Sequence, residues 1–232
     1  MRIEIWSDVV CPWCFIGKRR LEEALAGFEH RDQVEVVWRS FQLDPSAPAQ
    51  PTENVAEALG RKYGGGPDNA RKMMAQVQQV AAEVGLDFTR HADALHLSTV
   101  DAHRLLHAAG ERRGDLKEAL LHAYFVEARN VADHDVLVEI ASSVGLDADQ
   151  ARAVLTSVAH ADDVAADVAQ AAAYGATGVP FFVVDATYGV SGAQPTEVFS
   201  QLLGRAWAER SPITMVTPGG SAPGCEGDEC AV

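Results

Sequence analysis

Nothing in this sequence approaches the ~18 consecutive apolar residues of a membrane-crossing helix. Runs such as Val179 to Val184 are short. Positive charge is also scarce: 19 Lys and Arg stand against 33 Asp and Glu, a net charge of −14. That balance argues against nucleic acid and anionic membrane surfaces as partners. The first residues lack the apolar run and small-residue cleavage site of a secretory signal, because Glu4 and Asp8 interrupt them. The expectation is therefore a cytoplasmic protein. No phosphate-binding loop is present either, since Gly64-Gly65-Gly66 is not followed by Lys and Ser or Thr. Cysteine is sparse, with four in the chain, yet they fall in two close pairs. Structural disulfides are uncommon in a reducing compartment, so such pairs point to catalysis, redox sensing or metal binding.

The first pair organises the chain. Cys11-Pro12-Trp13-Cys14 follows the strand-like Arg2 to Asp8 and stands where a helical pattern begins. Two thiols at that spacing can close a small disulfide ring with little backbone movement. A helix start offers free N–H groups and the positive end of its dipole, both of which favour thiolate. Pro12 suits the first turn, where its missing N–H costs nothing. In this reading Cys11, the more exposed, attacks; Cys14 resolves the mixed disulfide; Pro12 and Trp13 support the site. With no histidine between the cysteines, the Cys11 pKa is expected below the free value of about 8.5 but not at the low extreme. Half of a zinc site and two inert thiols are the alternatives; the strand-to-helix context favours redox chemistry.

A chain of 232 residues exceeds one small redox domain, so one domain with a large insertion, or two domains, is expected. Residues 2–8 read as a buried strand, 12–29 as a helix and 34–43 as a second strand, parallel to the first. Prolines at 45, 48 and 51 then mark a change, and almost everything from about 52 to 174 is helical. Gly85-Leu86 and Gly145-Leu146 read as helix stops, and Asp147 with Gln150 as the cap of a following helix. Gly178-Val179-Pro180 then introduces the apolar strand 181–184. A turn at Asp185-Ala186 leads to its hairpin partner, and a closing helix carries Phe199, Leu203 and Trp207. The expected class is α/β. Residues 1–44 and 175–210 form a discontinuous core, 45–174 a helical insertion with its connecting helix, and 211–232 a flexible tail rich in Pro and Gly.

Cys11-Pro12-Trp13-Cys14 after the first strand, the helical insertion, and Gly178-Val179-Pro180 together resemble the DsbA family of the thioredoxin superfamily. More closely they resemble its FrnE-like cytosolic branch, through Asp8-Val9-Val10, Asp101-Ala102-His103-Arg104-Leu105-Leu106 and Ser191-Gly192-Ala193-Gln194. The resemblance covers about residues 2 to 209. It implies a thioredoxin-like core with an all-α insertion, and a cis Val179–Pro180 bond facing the cysteines and docking substrate. It also implies a thiol–disulfide oxidoreductase that works as reductase or isomerase on disulfide-containing proteins or small disulfides. Such an enzyme needs no cofactor beyond its cysteines, and a cellular reductant such as glutathione or thioredoxin recycles it. Glutathione-linked isomerases of the hydroxychromene-carboxylate type carry serine where this chain has Cys11. They remain the small-molecule alternative, with glutathione as co-substrate.

Cys225 and Cys230 end the tail, flanking Glu226-Gly227-Asp228-Glu229. They read as a second redox pair that exchanges with Cys11 and Cys14, or as incidental thiols. One zinc site built from all four cysteines is disfavoured by their separation. His103 and His107 lie four residues apart without a His-Glu-x-x-His pattern, so helix surface or groove lining is expected, not a metal site. Asp162, Asp163 and Asp167 read as a solvated helix face. A chaperone-like groove that uses Phe15, Tyr124, Phe125, Phe181 and Met73 or Met74 is the non-enzymatic alternative, although each reads first as core. Oligomeric state is left open.

Overall fold

A computed structural model describes residues 1–210. β1 (Arg2–Ser7) leads into α1 (Pro12–Ala26), and β2 (Glu35–Ser40) returns parallel to β1, pairing Ile5 with Trp38 and Ser7 with Ser40. Seven helices follow: α2 (Val55–Tyr63), α3 (Gly66–Glu83), α4 (Val100–Ala108), α5 (Arg113–Phe125), α6 (His134–Ser143), α7 (Ala148–Leu155) and α8 (Ala161–Ala173). The hairpin β3 (Phe181–Val184) and β4 (Tyr188–Ser191) completes the sheet in the order β2-β1-β3-β4, and α9 (Thr196–Ala208) closes the fold. β3 is antiparallel to both β1 and β4. The second strand is shorter than its apolar run suggests, ending at Ser40 where the chain turns toward Leu43.

β1 is central, and Ile3 to Ser7 are buried on both of its faces, the polar Glu4 and Ser7 among them. Ile3 and Ile5 pack with Phe182, Val184, Leu21, Phe199 and Leu203 beneath α1 and α9. Trp6 faces the other way, toward Phe181, Val183 and Ala171 of α8, and its indole donates to the Asp167 carbonyl at 2.7 Å. The largest apolar cluster lies among the helices between β2 and β3, and it extends into the sheet layer through Val9, Phe15 and Ile16. α1 is thus packed on two sides.

Local signals account for the boundaries. The α3 and α6 helices both end in Schellman caps: Leu86 N–H donates to the Ala81 carbonyl, and Leu146 N–H to that of Ala141. α8 ends the same way, with Ala176 N–H on Ala171. Asp147 accepts from the Gln150 N–H at the start of α7. The loop between the two strands has Asp185 and Ala186 at positive φ, 46° and 53°, and the Thr187 N–H donates to the Val184 carbonyl across them at 2.9 Å. No helix among the described residues is long and apolar enough to cross a membrane.

Candidate redox site

β1 ends at Ser7, and the next four residues carry the chain to the start of α1. Cys11 is the N-cap of that helix and Pro12 its first residue; the Cys14 N–H donates to the Cys11 carbonyl at 3.0 Å. Both thiols are free, and both are buried, at 2% and 1% exposure. Exposure therefore does little to separate attacker from resolver. Trp13, between them, is 40% exposed.

Opposite the pair, the Val179–Pro180 peptide is cis, and the Cys11 thiol donates to the Val179 carbonyl at 3.5 Å. α1 holds this loop closely. A Cβ on Gly17 would meet Pro180 Cγ at 3.1 Å, and Arg20 donates to the Ala193 carbonyl at 2.6 Å. Pro180 in turn accepts from the Gly192 N–H at 2.8 Å. The structure thus brings Cys11, Cys14, Val179 and Pro180 together. Cys225 and Cys230 lie outside the described residues.

Beneath the sulfurs is a polar cluster, Asp8 with His103 and Lys117, that no local sequence pattern announces. Asp8 Oδ1 accepts from the Val9 N–H at 2.7 Å and faces His103 Nε2 at 3.2 Å, while Oδ2 accepts from the Leu43 N–H at 2.8 Å. Burial pushes the Asp8 carboxyl up, but the His103 hydrogen bond and charge, the Leu43 N–H and nearby Lys117 together hold it below its ordinary value. His103 is not on a helix surface. It is fully buried, and burial lowers it despite the opposing pull of Asp8. Lys117, from α5, is 1% exposed and donates to the Ser7 carbonyl at 3.1 Å. Burial brings its pKa down to about 8.

The two sulfurs titrate as a pair. The Cys11 thiol is raised by its hydrogen bond to Cys14, by burial and by the charges on Cys14 and Asp8. Burial raises Cys14 too, but the Cys11 hydrogen bond, the Lys117 charge and the Ser7 hydroxyl outweigh it and lower it. The two sulfurs share the first negative charge, which the Lys117 charge draws toward Cys14.

His107 Nε2 lies 3.0 Å from Asp167 and 3.1 Å from the Ser40 hydroxyl, and Asp167 also takes Arg39 at 3.1 Å. Asp167 is 3% exposed, an inter-element anchor and not part of a solvated face. Phe15, Tyr124, Phe125, Phe181 and Met74 are buried, whereas Met73 is 43% exposed. Beside the Val10 end of the cysteine loop is a cavity of about 620 Å³, lined in part by Leu43, Leu59, Tyr63, His96 and Tyr124. Among the described residues no group of three or more His, Cys, Asp or Glu is placed to hold a metal ion.

A central strand feeding a helix whose first turn holds two thiols, met by a cis-proline loop, places the molecule in the thioredoxin class. Residues 2–204 match the DSBA-like thioredoxin domain, and the chain belongs to that family. It is 48% identical to a probable DsbA oxidoreductase of Streptomyces coelicolor, covering 97% of this chain and 100% of that one, with a TM-score of 0.88. The uncharacterized protein YwbO of Bacillus subtilis is 29% identical over 207 residues, 88% of this chain and 96% of that protein. The cytosolic disulfide reductase DsbM of Pseudomonas aeruginosa, solved with glutathione, shares the fold at 16% identity and a TM-score of 0.63, over 90% of this chain and all of DsbM.

Proposed function

We propose that this DsbA-family protein is a thiol–disulfide oxidoreductase that uses Cys11 and Cys14, working chiefly as a reductase or isomerase. The observation that carries the reading is the placement of both thiols at the start of α1, with Cys11 Sγ 3.5 Å from the Val179 carbonyl. Cys11 stands at the outer edge of the helix and forms the mixed disulfide with substrate. Cys14, one turn in and beside Lys117, closes the ring and releases the substrate thiol. Val179 and Pro180 present backbone to an extended substrate segment, which brings its disulfide onto Cys11. A cytosolic thiol poise would keep the pair largely reduced, and glutathione or thioredoxin would supply the reductant. In this scheme Cys225 and Cys230 form a tethered second pair that exchanges with the first. The thiol of Cys11, where the glutathione-linked isomerases carry a serine, speaks against the isomerase alternative.

Insulin-disulfide reduction with dithiothreitol tests the scheme. Activity is expected in the unsubstituted chain and absent in Cys11→Ser, while Cys14→Ser is expected to accumulate a mixed disulfide at Cys11. Full activity in Cys11→Ser would sink the reading. If the Cys225→Ser/Cys230→Ser chain turns over and recycles unchanged, the tail exchange falls while the central assignment stands.

A further inference from the structure

Lys117 is a buried ammonium that folding alone does not explain. An ammonium has three donors, and among the described residues this one meets a single neutral acceptor, the Ser7 carbonyl at 3.1 Å, with the Trp38 ring centroid 5.9 Å away. Burying a cation without a hydrogen-bonded carboxylate is costly, and an apolar side chain of the same length would fill the space without that cost. The titratable groups facing it are Cys14, Cys11 and Lys18 on α1, Asp8 after β1, and His103 on α4. Asp8 is already committed to Val9, Leu43 and His103. Asp8 keeps its negative charge and faces Lys117 in either redox state; the further anion is the sulfur of Cys14, whose charge comes and goes with the redox state of the pair.

We propose that Lys117 is a positioning residue for thiol–disulfide exchange, holding the negative charge on Cys14 whenever that sulfur leaves or attacks. The proposal rests on the exchange reading above. In the step concerned, an incoming thiolate bonds to Cys11 Sγ and the Cys11–Cys14 bond breaks. Cys14 departs with the electron pair as thiolate, and Lys117 keeps its proton. In reverse, the Cys14 thiolate attacks Cys11 Sγ and the substrate sulfur leaves as thiolate. The helical layer, through α5, thereby sets the electrostatics of a site carried by the sheet layer. The opposed shifts of the two thiols agree with this, since Lys117 is among the groups that lower Cys14.

The test uses full-length chain carrying Cys225→Ser/Cys230→Ser, so that only the active-site thiols report. Thiolate formation is followed by ultraviolet absorbance against pH, and the dithiol–disulfide equilibrium is measured against glutathione. Lys117→Met is expected to move the first thiolate titration up by about 1 pH unit and to shift the equilibrium about tenfold toward the disulfide. Lys117→Arg, which keeps the charge, is expected to show a clearly smaller displacement. Unchanged titration and equilibrium in Lys117→Met, or equal displacement in Lys117→Arg, overturns the proposal. Should Lys117→Met not fold, isotope-labelled lysine in the unsubstituted-lysine chain decides. The Lys117 ammonium is expected to titrate at higher pH in the reduced protein than in the oxidised one, and equal titration overturns the idea. Absence of insulin reduction by the native chain defeats the exchange reading itself. Activity there with an unmoved Lys117→Met titration defeats the Lys117 proposal alone.

Discussion

At the scale of single residues, Asp8 does two things. Its carboxylate ties the loop before α1 to the Leu43 N–H and to His103, and so fixes where Cys11 begins the helix. Replacing it with Ala leaves two backbone donors and an imidazole unpaired in a dry site, at a cost of about 3 kcal/mol or more. Urea unfolding of Asp8→Ala is expected to show that loss, against a change within about 1 kcal/mol for the near-isosteric Cys11→Ser. Similar midpoints for the two variants would mean that Asp8 is not the tie described. The cysteines were legible in the sequence because their chemistry is tied to a short local pattern. The cis Val179-Pro180 bond was legible only through the family resemblance, a proline before a strand being ordinarily trans. Lys117 was not, since a lysine on a helix normally faces water. The signal was there in its spacing: Lys117 shares a stripe with Leu121 and Tyr124, both buried, so the lysine occupies a core position.

At the scale of elements, α1 is the joint. One side, through Leu21 and Ala24, packs on the sheet with Phe199 and Leu203; the other, through Phe15 and Ile16, enters the helical cluster. Gly17 lets the cis-proline loop approach. A valine there would drive branched methyls into Pro180, Phe182 and Ala193, which already lie within 3.4 Å of a bare Cβ. Gly17→Val is expected to lower kcat/KM for insulin reduction about tenfold or more, by spreading Cys11 from Val179. Activity equal to that of the parent would show that the close approach is dispensable. The hairpin offers the opposite sign. Ala186 sits at φ 53° on an exposed turn, so Ala186→Gly is expected to stabilise by about 0.5–1 kcal/mol in thermal or urea melts. Helix ends were readable from Gly85-Leu86 and Gly145-Leu146 because a Schellman cap needs a left-handed residue and an apolar follower. The α8 ending at Gly175-Ala176 uses the same geometry with alanine in the apolar place, so the glycine alone marks the stop. Strand limits were less legible, since residues flanking β2 are as β-prone as the strand and only the pairing of Glu35 to Ser40 with β1 separates them.

At the scale of the whole molecule, the question is whether the helical layer and the redox layer unfold as one. The aromatic chain Phe15, Phe88, Phe125 and His91 joins them, with Phe15 to Phe88 at 6.0 Å, Phe88 to Phe125 at 4.6 Å and His91 to Phe125 at 4.6 Å. Burial lowers the His91 pKa from 6.5 to about 4. The unfolded chain therefore takes up a proton that the folded chain refuses, and stability falls as pH drops from about 6.5 toward 4. The full loss from this one group is on the order of 3 kcal/mol at pH 4 and below. His103, lowered in the same direction, adds to the slope. His91→Leu is expected to flatten the decline in urea stability between pH 6.5 and 4, while stability above pH 7 changes little. A decline as steep as the parent's would place the acid sensitivity elsewhere. Because α1 is packed into both layers, acid is also expected to bring loss of helical circular dichroism and exposure of the Cys11 and Cys14 thiols at the same pH. Thiols that open well before the helices melt would show a redox layer that unfolds on its own. The Lys117 coupling would then act across a looser boundary than the shared helix implies.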